Sequence, residues 1–307
     1  MKIKKNKVLI VGGTGFIGYH FAKLCLKKNF DVISISRSKP SRERKLRKIK
    51  YLYVDISKKE ILKKKLKPYS SINCIVNFGG DVDHKNRVKV YKSHFIGLKN
   101  LCDFFIKKKI TRFIQIGSSM EYGRKKSPHI ESELNKPISN YGNAKFLATK
   151  YLINLSRKYK FPCVVLRPYQ VYGPNQDNNR FIPFIINSCL KNQDFPCSEG
   201  KQFRDFLFIT NFVEAVYKCL KIKKNLNGQI INIGYGKPQN LKKIINFIMK
   251  KIKKGKPEFG KINLRNEENM VTYPSIKKSK KLLNWYPKTK FKYGVLKTIS
   301  YYKNLNS

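Results

Sequence analysis

Apolar positions fall into two alternating rhythms through the first half of the chain. KVLIVGG, from Lys7, is continuously apolar and ends in glycine, as a strand buried on both faces of a parallel sheet does. GYHFAKLCLKKNF, from Gly18, then carries its apolar residues at helical spacing. DVISISR, IKYLYVDI and SINCIVNFGG read as further strands, and GLKNLCDFFIKKKI as a helix. RFIQIGSS reads as a strand, NAKFLATKYLINLSRKY as a helix and CVVLRP as a strand. Repeated units of this kind predict a doubly wound parallel sheet with helices on both faces, which takes its ligands at the carboxyl ends of the strands.

From about Tyr169 the rhythm loosens. FIPFIINSCLKN and NFVEAVYKCLKI are helical and flank a polar loop, and QIINIG reads as one more strand. NLKKIINFIMKKI, KKSKKLLNW and YGVLKTISYYKN are helical. The expected fold is α/β: a doubly wound parallel sheet (the Rossmann arrangement) with a smaller C-terminal α/β lobe. Residues 1–168, with a return segment at about 206–234, would form the dinucleotide-binding part. Residues 169–205 and 235–307 would form a substrate lobe over the ligand edge. No internal repeat and no low-complexity linker interrupts the chain.

Composition narrows the class. The chain has 307 residues, 41% hydrophobic and 13% aromatic, enough for a sizeable core. No apolar run approaches the roughly 20 residues of a membrane span. The start MKIKKNKVLIVGG has only four apolar residues before two glycines, too few for a signal-peptide core, so a buried first strand and a cytoplasmic enzyme are expected. The net charge of +49 could mark a nucleic-acid-binding protein on the same fold. The lysines are spread along the whole chain, however, and only Ser36 to Lys50 is dense enough for a basic patch. The seven cysteines are odd in number, form no CxxC and mostly sit in apolar runs, which reads as buried free thiols; no metal site is supported.

VLIVGGTGFIG places Gly12, Gly15 and Gly18 between a strand and a helix, and Gly13, Gly15 and Gly18 also fit the GxGxxG spacing. Glycine lets the backbone turn tightly and approach a pyrophosphate, while the helix N-terminus supplies N–H donors and positive dipole. The second strand ends in Ser36 and Arg37, where an NAD-specific fold offers a carboxylate to the ribose. An arginine and a hydroxyl suit a 2′-phosphate, so NADP is favoured over NAD. Asp55, closing the third strand, is placed for the adenine amino group.

SNYGNAK holds Tyr141 and Lys145 one helical turn apart. The spacing alone is weak evidence: it recurs at Tyr19/Lys23, Tyr122/Lys126, Tyr217/Lys221, Tyr273/Lys277, Tyr286/Lys290 and Tyr293/Lys297. Tyr141 alone among these follows a serine-bearing strand and opens a helix.

Several motifs in order give the chain a specific resemblance to the extended short-chain dehydrogenases/reductases that act on nucleotide sugars. GGTGFIG resembles that family's cofactor loop, VNFGG the strand ending in two small residues (Gly79 and Gly80), and IGSSMEYG the catalytic serine strand. LRPYQVYGPNQ resembles the segment leading into its substrate lobe, GKQFRDFLFITNFVEA its Gln-x-Arg-Asp-Phe stretch, and LLNWYPKTKFKYGVLKTISYY its C-terminal Trp-x-Pro signature. The resemblance implies catalysis by Ser118, Tyr141 and Lys145. It implies cofactor contacts at Phe16, Ile17, Ile56, Gly79, Gly80 and Pro168 beside the residues already named, and substrate contacts at Ser119, Gln170 and Arg204. A phenol with a pKa of about 10 would need the lysine ammonium and a cationic nicotinamide to make it a base. The family's dehydratases carry carboxylates just after the serine. Here Ser119 and Met120 stand there, and strand alternation would turn Glu121 away, so dehydration is disfavoured. A ketoreductase is slightly favoured over a 4-epimerase that retains its cofactor. Gln170, Asn211 and His94 depart from the family's usual residues and leave sugar and nucleotide open. A homodimer is expected. A pure nucleic-acid binder would have no use for the Ser/Tyr/Lys set.

Overall fold

The computed structural model describes residues 6–69, 71–81, 86–133, 136–264 and 268–306; part of the basic start lies outside that set. Strands and helices alternate as β1 (Lys7–Val11), α1 (Phe16–Lys27), β2 (Asp31–Ser36), β3 (Ile49–Tyr53), α2 (Lys59–Leu66) and β4 (Cys74–Asn77). α3 (Arg87–Tyr91) runs through a π-helical turn (Lys92–Ile96) into α4 (Gly97–Phe105), followed by β5 (Arg112–Ile116), α5 (Asn140–Tyr159) and β6 (Cys163–Pro168). The remainder comprises β7 (Gln170–Tyr172), α6 (Phe181–Leu190), β8 (Asp194–Pro196), β9 (Phe203–Arg204), β10 (Phe206–Phe208), α7 (Ile209–Lys221) and β11 (Gln229–Ile233). It closes with β12 (Gln239–Asn240), α8 (Leu241–Ile252), β13 (Lys256–Glu258), β14 (Val271–Thr272), α9 (Lys277–Leu283) and α10 (Phe291–Asn306).

Seven parallel strands form one sheet in the order β11-β6-β5-β4-β1-β2-β3. Successive residues of β1 feed opposite faces. Val8 and Ile10 enter a core with Phe21 and Phe212, while Leu9 and Val11 enter a second core with Leu101 and Leu152. Each such fully buried side chain contributes about 1.5–3 kcal/mol of hydrophobic transfer. That two-sided burial is why the strand sequences are runs rather than alternations.

Chain order reverses between β1 and β4, which opens the crevice where such sheets bind ligands. The two strand ends meet there closely. Gly12 has φ +78°, and a Cβ on it would stand 3.0 Å from the Gly79 backbone nitrogen. Short strands beyond the main sheet pair as β7–β10, β12–β9–β14 and β8–β13. All seven cysteines are buried and unbridged. Among the described residues no helix is long and apolar enough to cross a membrane.

One local expectation fails. RFIQIGSS is not strand to its end: β5 stops at Ile116, and Ser119–Tyr122 form a 3-10 turn capped by Ser118. Strand alternation therefore fixes the direction of neither Ser119 nor Glu121.

Candidate active site

The glycine turn leaves the N-terminus of α1 open. Gly15 is its N-cap and no side chain caps it, so the first-turn N–H groups are available to an anion. A Cβ on Gly18 would lie 2.2 Å from the Gly12 carbonyl oxygen, so the turn closes only with glycine there. A Cβ on Gly15 would meet only that same oxygen, at 3.4 Å, which leaves the outer side of the turn clear. Phe16 is buried and Ile17 packs on the same core, so both offer the site backbone rather than side chain.

A cleft of about 360 Å³ opens past the ends of β2 and β3, lined by Arg37, Asp55, Ser57, Lys58, Lys89 and Lys92 among others. Ser36 is turned inward, its hydroxyl donating to Ile35 O (2.8 Å) and accepting from Thr14 N (3.3 Å). Of the expected phosphate-reading pair, Arg37 alone therefore lines the cleft. It is about half exposed and pairs with Asp81 at 2.9 Å, while Lys89 approaches the same carboxylate at 3.3 Å. Asp55 accepts from Ser57 N (2.8 Å) at the cleft wall. Ile56 is buried, and its carbonyl accepts from Asn100 Nδ2 (2.9 Å). The open helix end, the bare outer side of Gly15 and the cationic cleft together fit a dinucleotide.

Gly79 and Gly80 follow β4. Gly79 N donates to Asn77 Oδ1 (3.0 Å). Gly80 has φ +145°, and a Cβ on it would fall 1.8 Å from the His94 ring. His94 bonds the Asp81 carbonyl through Nε2 (2.8 Å) and meets the Tyr141 ring edge-to-face at 5.0 Å. The second glycine strip thus touches the tyrosine through one imidazole.

Tyr141 and Lys145 lie in the first turns of α5, whose N-cap Ser139 accepts from Gly142 N (3.0 Å). Lys145 is only 3% exposed and donates from Nζ to Ile116 O (2.7 Å), tying the helix to the end of β5. Burial pushes its ammonium down to about 8, while Glu121 pulls it back up. Burial pushes the Tyr141 phenol up to about 12 against the lowering effect of a hydrogen bond to Ser118. The expectation that the lysine lowers this phenol is not met: Nζ lies 5.6 Å from the ring centroid and is turned to a carbonyl. Ser118 Oγ accepts from Met120 N (3.1 Å), which leaves its own proton to donate. The structure thus brings Ser118, Tyr141 and Lys145 together. Tyr122, at an equal spacing from Lys126, is fully buried and donates to Asn232 Oδ1 (2.8 Å), far from any such use.

Sequence reasoning missed the base of the site. Glu121 does not turn away: it folds back so that Oε1 accepts from Ser118 N (2.8 Å). Its Oε2 accepts from Thr149 Oγ1 (2.8 Å) and from Arg167 (2.7 Å), with both ion-pair side chains wholly buried. The signal was legible, since Ser118-x-x-Glu121 is a capping-box pattern.

Substrate-side candidates are more dispersed. Ser119 is half-buried in the 3-10 turn, Pro168 ends β6 half-buried, and Gln170 is exposed at the start of β7. Arg204 sits apart on β9, paired with Glu268 and donating to the carbonyls of Phe203 (2.9 Å) and Met270 (3.2 Å). Asp205, rather than partnering Arg204, is buried and accepts from Tyr235 N (2.7 Å) and Gly236 N (2.6 Å).

Residues 8–234 match the model of the NAD dependent epimerase/dehydratase family. A putative UDP-glucose 4-epimerase of Methanocaldococcus jannaschii is 27% identical over 97% of this chain and 99% of its own length. The crystal structure of a UDP-glucose 4-epimerase with UDP-glucose, from Thermotoga maritima, superposes with a TM-score of 0.92 at 22% identity, covering 98% of this chain and 100% of that one. That of a UDP-glucuronic acid 4-epimerase from Bacillus cereus, in complex with UDP-glucuronic acid and NAD, gives 0.89 at 25% identity, covering 97% and 99%.

Proposed function

The chain belongs to the NAD dependent epimerase/dehydratase family, and on that footing we propose that it transfers hydride at a carbon, C4, of a nucleotide-activated sugar. The observation that carries this reading is the meeting of Ser118, Tyr141 and Lys145 beside the open glycine turn. When bound, NAD(P) supplies the hydride donor or acceptor. Gly12, Gly15, Gly18 and the first-turn backbone of Phe16 and Ile17 would hold its pyrophosphate, with Asp55, Ile56, Gly79, Gly80 and Pro168 along its length. In the reductive direction Tyr141 gives its phenolic proton to the carbonyl oxygen as that carbon gains hydride, and Ser118 donates a hydrogen bond to the same oxygen. Lys145, held by the Ile116 carbonyl, would hold the nicotinamide ribose. Ser119, Gln170 and Arg204 would bind the substrate, and Arg204 would exchange Glu268 for the diphosphate.

Dehydration remains disfavoured, with the reason changed only for Glu121. Ser119 and Met120 supply no carboxylate, and Glu121 is committed to three buried partners. Reduction of a 4-keto sugar with NADPH is favoured because Arg37, Lys58, Lys89 and Lys92 line one cleft, where a 2′-phosphate finds positive charge. A 4-epimerase that keeps its cofactor is the second reading, supported by the similarity to proteins named as 4-epimerases. One assay separates them. The purified protein should oxidise NADPH stoichiometrically with a nucleotide-activated 4-keto-6-deoxy sugar and carry little cofactor through gel filtration. Retained NAD⁺ with C4 inversion and no net cofactor change would establish the epimerase instead.

A further inference from the structure

The Glu121 carboxylate joins three segments of the site at once. Through Oε1 it holds the backbone of Ser118. Through Oε2 it holds Thr149, which lies one helical turn beyond Lys145 on the same face of α5. The same oxygen takes the Arg167 guanidinium from β6. Gly117 is shaped to admit it, since a Cβ there would stand 2.5 Å from Oε1. Arg167 is itself packed over the Tyr122 ring at 4.7 Å.

Stability is a poor reason for such a pair. Burying two charges costs desolvation that their attraction barely offsets, and apolar residues of equal volume are often as stable. What the pair does provide is geometry. With Ser118 fixed at the strand end and Thr149 fixed on the helix, the serine hydroxyl, the phenol and the ammonium keep one mutual arrangement.

We propose that Glu121 is the positioning residue of this centre, locking the Ser118 turn to the Lys145-bearing helix. The inference rests on the reading of Ser118, Tyr141 and Lys145 as the reacting set. The carboxylate also acts through its charge, favouring the protonated forms of both Tyr141 and Lys145. Other groups face them too: His94 from the π turn and Arg180 ahead of α6 face Tyr141, and the Tyr141 ring itself faces Lys145.

The test uses Glu121→Leu/Arg167→Met, which removes both charges and both hydrogen-bond links with apolar side chains of comparable volume and so strands no buried charge, as Glu121→Leu alone would. Thr149→Val cuts only the helix link, and Thr149→Ser restores it. Three quantities are measured: thermal stability, single-turnover hydride transfer from NADPH, and the pH titration of the Lys145 ε-carbon by NMR, assigned with Lys145→Met. The double variant should bind NADPH as the wild type does and transfer hydride at least about tenfold more slowly, with KM little changed. Its Lys145 should titrate at lower pH than in the wild type. Thr149→Val should slow transfer several-fold, and Thr149→Ser should not. An unchanged Lys145 titration, or a rate loss that only follows the unfolded fraction, overturns the proposal. Full turnover in Tyr141→Phe would instead refute the reacting set, and the lysine titration, which needs no substrate, would still decide the role of Glu121.

Discussion

At the scale of single residues, the two tyrosines of equal spacing make the sharpest contrast. Tyr141 touches Ser118 and His94 at the strand ends, whereas Tyr122 spends its hydroxyl on Asn232 inside the core. Tyr141→Phe should lower turnover by about 10²-fold or more, the scale of a lost general acid, with NADP(H) affinity retained. Tyr122→Phe should cost about 1–3 kcal/mol of stability by leaving Asn232 without a donor, and little chemistry per folded molecule. Equal loss of turnover per folded molecule would show that context misled. Lys145 makes a pH prediction. Its folded pKa lies near 8 against an ordinary 10.5, so between those values the unfolded chain binds the extra proton and stability rises with pH. Below 8 the buried ammonium costs on the order of 3 kcal/mol. Lys145→Met should therefore gain most in thermal stability, relative to wild type, near pH 7, and the relative gain should shrink toward pH 10. A pH-independent difference would contradict the burial argument. Arg37→Ala should weaken NADP(H) by about 1–3 kcal/mol and leave NAD(H) nearly unchanged, as fluorescence titration of the nicotinamide would record. Equal wild-type affinities would end the NADP preference.

At the scale of elements, legibility followed burial. β1, β5 and β6 were readable because strands covered on both faces become continuous apolar runs. α2 was not, because KEILKKKL offers only Ile61, Leu62 and Leu66 among lysines, and Ile61 is exposed. α3 and the π turn were missed for a related reason: Val88 faces out, so the apolar spacing breaks. The two-residue strands around Arg204 are too short to carry any period. In the site, the glycine turn and the Tyr141/Lys145 pair were visible in sequence. Glu121 was placed on the wrong side because its segment was read as strand rather than as a capped 3-10 turn, and Arg167 and Asp81 were not singled out, because a buried charge is recognised by what surrounds it. The glycine turn also separates fold from binding. Gly18→Ala would force a Cβ to within 2.2 Å of a carbonyl and should destabilise by several kcal/mol. Gly15→Ala meets only a 3.4 Å contact at an ordinary extended conformation, so stability should change by no more than about 0.5 kcal/mol. Its added methyl nevertheless stands on the open side, and dinucleotide affinity should fall at least about tenfold. Calorimetry and cofactor titration of both variants distinguish these outcomes, and an intact affinity in Gly15→Ala would move the pyrophosphate elsewhere.

At the scale of the whole molecule, a charge of +49 opposes any association of the chain with itself. Yet α3 and α5 present an apolar strip. Val88 and Tyr91 are 61% and 40% exposed and Leu147 is 39% exposed, and Tyr91, Phe95 and Tyr151 continue the strip ring against ring. The homodimer expected from the sequence would bury this strip by a two-fold contact, the commonest symmetry of such assemblies. Burial of the strip drives that contact and the lysines resist it, so the two contributions separate in salt. Screening weakens the repulsion between like-charged protomers while leaving apolar burial intact or strengthened. The dimer should therefore tighten between about 50 and 300 mM salt, where the Debye length falls from roughly 14 to 6 Å. Binding to nucleic acid runs the other way, because each phosphate contact releases counterions and loses affinity as salt rises. Sedimentation equilibrium across a salt series, with and without an RNA fragment, reads both slopes in one preparation. Val88→Asp with Leu147→Asp should leave a folded monomer at every salt concentration. A wild type that stays monomeric at 300 mM would leave the apolar strip without a second copy. RNA binding that is saturable at one stoichiometry and steeply weakened by salt would give the charge a partner instead.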